Sequence, residues 1–153
     1  MVSEIDKTDR RILQVLQRDA AISMDALAEA VHLSRNACWR RVKQMEASGV
    51  ITARVALVSP RAVGLPLTAF VLIRAGTHDK SWLDTFAKAV RRMPEIQSAH
   101  RLSGELDYIL RIRLASMEDY DRVYQNLIAR VPLSDISASF VMDDIKDTTA
   151  LPL

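Results

Sequence analysis

The chain has a single cysteine, Cys38, so no intrachain disulfide is available to it. That points to a reducing compartment, the cytoplasm. No apolar run approaches the ~20 residues needed to span a bilayer. The opening MVSEIDKTDRRIL is charged and lacks the apolar core of a signal peptide. Cysteine pairs at metal spacing are missing, and His32, His78 and His100 are scattered, so a structural zinc site is not expected. No phosphate loop and no nucleophile–base constellation are present. These absences argue against a membrane protein, a metalloprotein, a cofactor-dependent protein and an enzyme.

What remains is globular. The 153 residues are 49% hydrophobic and 26% charged, enough for one ordinary domain or two very small ones. The net charge of +2 is uneven along the chain. Residues 1–60 hold nine Lys/Arg against seven Asp/Glu, whereas residues 61–153 hold twelve of each. The segment SRNACWRRVKQME (34–46) carries four cations against one anion. A local basic stripe of this kind suits a polyanionic partner.

Three short helices fit the first fifty residues. Asp6 is placed to cap the first, with Asp9 three residues on in a capping-box position and Ile12, Leu13 and Leu16 as the apolar stripe. Ser23 caps MDALAEAV, whose inner face is Leu27, Ala28 and Val31. His32-Leu33-Ser34 forms a tight connection, and histidine tolerates the positive φ that such a turn demands. Ser34 caps a third helix to about Ser48, and Gly49 ends it. VITARVALVS (50–59) alternates and is β-branched, which predicts a strand. The cluster Pro60, Gly64 and Pro66 marks a boundary. The expected domains are residues 1–50, a connecting strand and linker over 51–66, and residues 67–153.

Beyond the linker the pattern repeats. Strands are expected over 67–74, 96–103, 107–114 and 134–143. Helices are expected over 79–93, with Leu83, Phe86, Val90 and Met93 inward, and over 117–131, with Tyr120, Tyr124, Leu127 and Val131 inward. Two β-α-β units with right-handed crossovers make a ferredoxin-like βαββαβ sheet with both helices on one face. Phe70 and Leu72 then face away from the helices. An apolar patch on that open face predicts a homodimer packed sheet on sheet.

Helical phase decides how the basic segment is used. With Cys38 on the inner face, Val42 and Met45 join it at i+4 and i+7. Asn36, Arg40 and Lys43 lie opposite, Arg35 and Trp39 along one flank, and Arg41 along the other. Arginine can bond guanine bidentately, asparagine can do so to adenine, and lysine or arginine neutralises phosphate. The helix N-terminus at Ser34 also presents backbone N–H groups. A helix, a short turn and a basic helix form a helix-turn-helix. From the residues alone, a DNA-reading face and a plain solvated face both stand.

The whole chain, over residues 5–150, resembles the Lrp/AsnC (leucine-responsive, feast/famine) family of transcriptional regulators. The resemblance is carried by IDKTDRRIL, LAEAVHLSRNACWRRVKQMEASGVI, LSGELDYILRIR and SFVMDDIK. It implies an α+β fold: an N-terminal winged helix-turn-helix plus a C-terminal ferredoxin-like ligand-sensing domain. It implies double-stranded DNA as partner, contacted through Ser34, Arg35, Asn36, Trp39, Arg40, Arg41 and Lys43. It also implies self-assembly into dimers and higher oligomers such as octamers, and a small-molecule effector, an amino acid or related metabolite. The family's glycine-acidic-aromatic-Asp-Tyr motif aligns with Gly104-Glu105-Leu106-Asp107-Tyr108, with Glu105 and Leu106 as departures. Asp107 or Glu105 would take an ammonium, the N–H groups of Ser103 and Gly104 a carboxylate, and Ser137 and Ser139 would complete the site. The plainer alternative is that Gly104 only makes a turn and Asp107 only satisfies backbone groups. The CWRRV run and the closing IKDTTALPL are similar to a proteobacterial branch that includes a cysteine-responsive activator. An effector-independent, architectural DNA-organising protein is the alternative function.

Overall fold

Asp6 begins the ordered helices as its position demands. Its carboxylate accepts from the backbone N–H groups of Thr8 and Asp9 at 2.8 Å, and the Asp9 carboxylate accepts from the Asp6 N–H at 3.2 Å. This reciprocal cap starts α1 (Lys7–Leu16). Ser23 caps α2 (Met24–Ala30), and Ser34 caps α3 (Arg35–Ala47). Between them His32 takes φ 58°, the left-handed conformation that the turn requires. Gly49, at φ 77°, follows the last turn of α3, where a Cβ would strain the backbone. The computed structural model describes residues 5–77 and 79–153, so His78 and residues 1–4 lie outside it.

The chain divides into two compact units, residues 1–57 with 146–153, and residues 58–145. The first is helical. Ile12, Leu27, Val31, Cys38 and Val42 are almost completely buried, and each large aliphatic there contributes about 1.5–3 kcal/mol by leaving water. The tail over 146–153, expected with the second domain, groups with this unit. Gln17 holds the backbone of Leu151 on both sides: its Oε1 accepts from the Leu151 N–H at 2.6 Å and its Nε2 donates to the Leu151 carbonyl at 3.3 Å. Gln14 Nε2 donates to the Leu153 carbonyl at 2.5 Å, and Leu153 packs against the helical core.

The second unit opens on a single 3-10 turn over Arg61–Val63. It continues as β1 (Leu67–Ala75), α4 (Lys80–Arg91), β2 (Ile96–Arg101), β3 (Tyr108–Leu114), α5 (Met117–Ile128) and β4 (Leu133–Phe140). The sheet order is β2-β3-β1-β4, all pairs antiparallel. This is the ferredoxin-like plan. Strand alternation sends Ala69, Val71, Ile73, Tyr108, Leu110 and Ile112 into the core. Phe70 and Leu72 take the opposite phase, with Leu72 paired to Ile109 and Phe70 to Arg111.

Four details depart from the sequence expectation. Residues 52–58 carry no strand, because a strand needs a hydrogen-bonded neighbour and this segment has none among the described residues. The last strand stops at Phe140 instead of continuing past Met142. In α4 the stripe is rotated: Trp82, Phe86 and Ala89 are buried while Leu83 is 37% exposed. Trp82 wins the inward place because it stacks on Phe86, with centroids 5.1 Å apart, and its Nε1 donates to the Pro132 carbonyl at 2.6 Å. In α5 the fully buried residues are Val123 and Leu127, and Tyr120 is half-buried with its ring edge-on to Phe140.

Candidate nucleic-acid interface

Helix α3 is anchored by Cys38, Val42 and Met45, all buried. Burial pushes the Cys38 thiol up from its ordinary value, the behaviour of a small core residue instead of a reactive one. Anchoring that face fixes what points outward. Asn36, Trp39, Arg40 and Lys43 are exposed, with Trp39 at 53%. An aromatic of that size left half in water beside a cation is the kind of surface that a partner covers.

The cations divide by their neighbours. Arg35 Nε pairs with Asp25 at 3.0 Å, both well exposed. Lys43 pairs with Glu46 at 2.7 Å, one turn along the helix. That pairing, more than any other effect, holds the Glu46 carboxyl below its usual value. Both contacts are of the solvated kind worth little and readily exchanged for a phosphate. Arg41 is different. It is half-buried, and its Nη1 bonds both Asp6 and Asp9 of α1. Those two carboxylates hold the guanidinium and raise its affinity for its proton. Arg41, expected among the DNA-contacting residues, is thus occupied inside the helical unit. Arg40 makes no ion pair among the described residues. Ser34 uses its hydroxyl as cap, accepting from the Ala37 N–H at 3.3 Å.

The residues expected to bind an effector lie on two separate parts of the sheet unit, the β2–β3 turn with the start of β3, and β4. The β2–β3 turn carries Ser103, Gly104 and Glu105 in solvent, with Gly104 at φ 134°. Glu105 meets Arg74 at a loose 3.8 Å. Asp107 is engaged with backbone: its Oδ2 accepts from the Ala75 N–H at 2.8 Å, and its own N–H donates to the Ile73 carbonyl at 3.0 Å. Tyr108 is buried on the helix side, its ring 4.6 Å from Phe86 between centroids. Ser137 and Ser139 lie on the other face of the sheet, opposite Leu72 and Phe70 in register. Sequence reasoning missed a groove of about 530 Å³ between α4 and β2, lined by Leu83, Val90, Arg91 and Arg101. The exposed Leu83 is its signal, hidden by the assumption that every apolar residue of α4 turns inward.

A capped helical trio with a basic outer face, joined to a ferredoxin-like sheet unit, defines a DNA-binding protein with a second domain of the ligand-sensing type. Comparison with known proteins agrees. Residues 5–52 match the family described as winged helix-turn-helix DNA-binding, and residues 68–151 match the Lrp/AsnC ligand binding domain. The chain is 46% identical to the glutamate uptake regulatory protein of Zymomonas mobilis over 153 residues, covering 100% of this chain and 93% of that one. It is 45% identical to the DNA-binding transcriptional activator DecR of Escherichia coli over 150 residues, covering 97% and 99%. A transcriptional regulator of Neisseria meningitidis, solved as an L-methionine complex, superposes with TM-score 0.92 at 39% identity, covering 97% of each chain. The chain belongs to the Lrp/AsnC family: it is a DNA-binding transcriptional regulator with a ligand-binding domain. No helix among the described residues is long and apolar enough to cross a membrane.

Proposed function

We propose that this regulator binds double-stranded DNA sequence-specifically through α3 and that an amino acid, or a closely related metabolite, modulates it. The observation that carries the effector reading is the L-methionine complex of the Neisseria regulator, whose architecture matches this chain across 97% of its length. Asn36 and Arg40 read bases, Trp39 packs at the groove wall, and Ser34, Arg35 and Lys43 hold phosphates. Arg41 acts from behind, fixing the pitch of α3 against α1.

The working form is a homodimer, with assembly to higher oligomers such as an octamer. Phe70, Leu72 and Ile109 lie side by side on the face that α4 and α5 leave open, and a second copy covers them. The effector site is completed between copies. Ser103, Gly104 and Glu105 present turn amides and a carboxylate, while Ser137 stands two strands away from Ile109, roughly 10 Å. That span suits a small zwitterion held by groups from more than one chain. The ligand acts only through its different affinity for two assemblies. The protein works in the cytoplasm, at the nucleoid.

The test is thermal unfolding of the purified protein against each of the twenty amino acids. A ligand at a hundred times its dissociation constant adds about 2.7 kcal/mol, a visible rise in midpoint. A rise with one amino acid, accompanied by a change in DNA affinity or in mass in solution, supports the reading. No response to any of them favours an architectural DNA-organising protein instead.

A further inference from the structure

Arg54 lies outside α3 in sequence but not in space. Glu46, in the last turn of α3, holds Lys43 Nζ at 2.7 Å through one carboxylate oxygen and Arg54 Nη2 at 2.9 Å through the other. One carboxylate therefore gathers two cations to one spot. Lys43 stands on the exposed face of α3 with Asn36 and Arg40, so the tip of Arg54 is brought to that face beside it. The side chains of Lys43 and Arg54 are 55% and 37% exposed, open to a partner from outside. The guanidinium also approaches the Ala20 carbonyl, between α1 and α2, at 3.5 Å.

The cluster is not electrically balanced. At the start of α3, Arg35 and Asp25 set one cation against one anion. Lys43, Glu46 and Arg54 set two cations against one. A surplus of positive charge on mobile, half-open side chains suits the backbone of a polyanion.

We propose that Arg54 is a further phosphate-binding residue of the DNA interface and that Glu46 is its positioning residue, setting it beside Lys43 and cancelling one of their two charges against the duplex. This rests on the reading of α3 as the DNA-binding helix. Lysine has three N–H donors and arginine five, so both cations can bond phosphate oxygens while still sharing Glu46. The Lys43 hydrogen bond, followed by the Lys43 and Arg54 charges, holds the Glu46 carboxyl below its ordinary value, so its negative charge persists in the complex. Counterion release then counts the cluster as one net positive charge instead of two. Glu46 thus weakens the sequence-independent part of binding and makes it less sensitive to salt than the number of cations implies.

The experiment uses the full chain and a labelled duplex of mixed sequence, because phosphates are common to every sequence. Affinity is measured from about 50 to 200 mM salt, where each net phosphate contact adds about 0.9 to the slope of log affinity against log salt. Glu46→Gln keeps the shape of the side chain and removes its charge. It is expected to bind more tightly at the lower salt, with a slope steeper by about 0.9 for each bound helical unit, so that its advantage shrinks roughly 3- to 4-fold across the range. Arg54→Gln is expected to bind more weakly, with a slope shallower by the same amount. The double variant should return to the native slope, and Arg54→Lys should keep it. Thermal melts are run in the same buffers, since a tether without a DNA contact moves melting and not the slope. A native slope in Arg54→Gln overturns the phosphate contact, whatever its melting point. A slope in Glu46→Gln equal to or shallower than the native one overturns the cancelled charge. The reading of α3 fails separately: Arg40→Ala that binds a duplex selected by the native chain from a random pool as tightly as the native chain does removes base reading by α3 and leaves the Arg54 contact standing. A native chain that binds no duplex overturns both.

Discussion

Arg41 Nη1 lies 2.7 Å from Asp6 Oδ2 and 2.9 Å from Asp9 Oδ1, so the middle of α3 is bolted to the first turn of α1. The same two aspartates build the N-terminal cap of α1. One guanidinium therefore orients α3 and supports the capping box. Its neighbour in sequence, Arg40, is exposed and pairs with neither.

Adjacent arginines should thus behave differently. Arg40→Ala is expected to lower DNA affinity roughly 5- to 150-fold at fixed salt, the range for one lost arginine–base contact of about 1–3 kcal/mol, while thermal stability stays unchanged. Arg41→Ala is expected to lower the unfolding midpoint first and DNA affinity as a consequence. Titration of a labelled operator beside thermal melts of both variants separates the two. Equal loss of affinity with unaltered melting in both would refute the division.

Acid should act first at helix starts. The Asp9 backbone N–H, followed by the Arg41 side chain, holds the Asp6 carboxyl below its ordinary value. The Trp82 N–H, followed by the Thr77 hydroxyl, does the same for Asp79, the cap of α4. A carboxyl lowered in the folded state binds fewer protons there than in the unfolded state. Its stabilisation is whole above the unfolded value of ~3.9 and disappears as pH falls through the folded value. Urea midpoints measured from pH 6 down to pH 2 should be level at first and decline below about pH 4. Asp6→Asn and Asp79→Asn should each flatten that decline.

Trp82 joins α4 to the loop before β4. Its indole N–H bonds the Pro132 carbonyl at 2.6 Å, and its ring stacks on Phe86. Trp82→Phe keeps an aromatic ring and removes the donor, with an expected loss of about 1–3 kcal/mol for the orphaned carbonyl. Trp82→Ala should cost about 3–5 kcal/mol. Denaturant unfolding followed by far-ultraviolet dichroism measures both, and a Phe variant as stable as the native chain would show that water replaces the lost bond.

The tail should behave as a component of the helical unit. Gln14 and Gln17 hold Leu151 and Leu153 by three hydrogen bonds to their backbone. Replacing both glutamines with alanine is expected to expose the chain near Lys146 to trypsin many-fold faster than in the native protein. Cleavage at an unchanged rate would show that Leu153 packing alone holds the tail.

Much of this was written locally. The caps at Asp6, Ser23 and Ser34, the turn at His32, and the buried set Cys38, Val42 and Met45 follow from short-range rules: a side-chain oxygen near free N–H groups, and a 3.6-residue period. The β-α-β repeat likewise determined the ferredoxin-like sheet. Side chains that choose partners far along the chain were decided only by tertiary structure. Arg41 resembles Arg40 in sequence, yet two carboxylates from α1 capture it across 32 and 35 positions. Trp82 displaces Leu83 from the core because Pro132, fifty residues away, offers its carbonyl. Asp107 belongs to a glycine-turn motif, yet it spends an oxygen on the Ala75 amide. Residues 52–58 have every local mark of a strand and are not one, since strand pairing is a property of two segments and a periodic sequence supplies only the first.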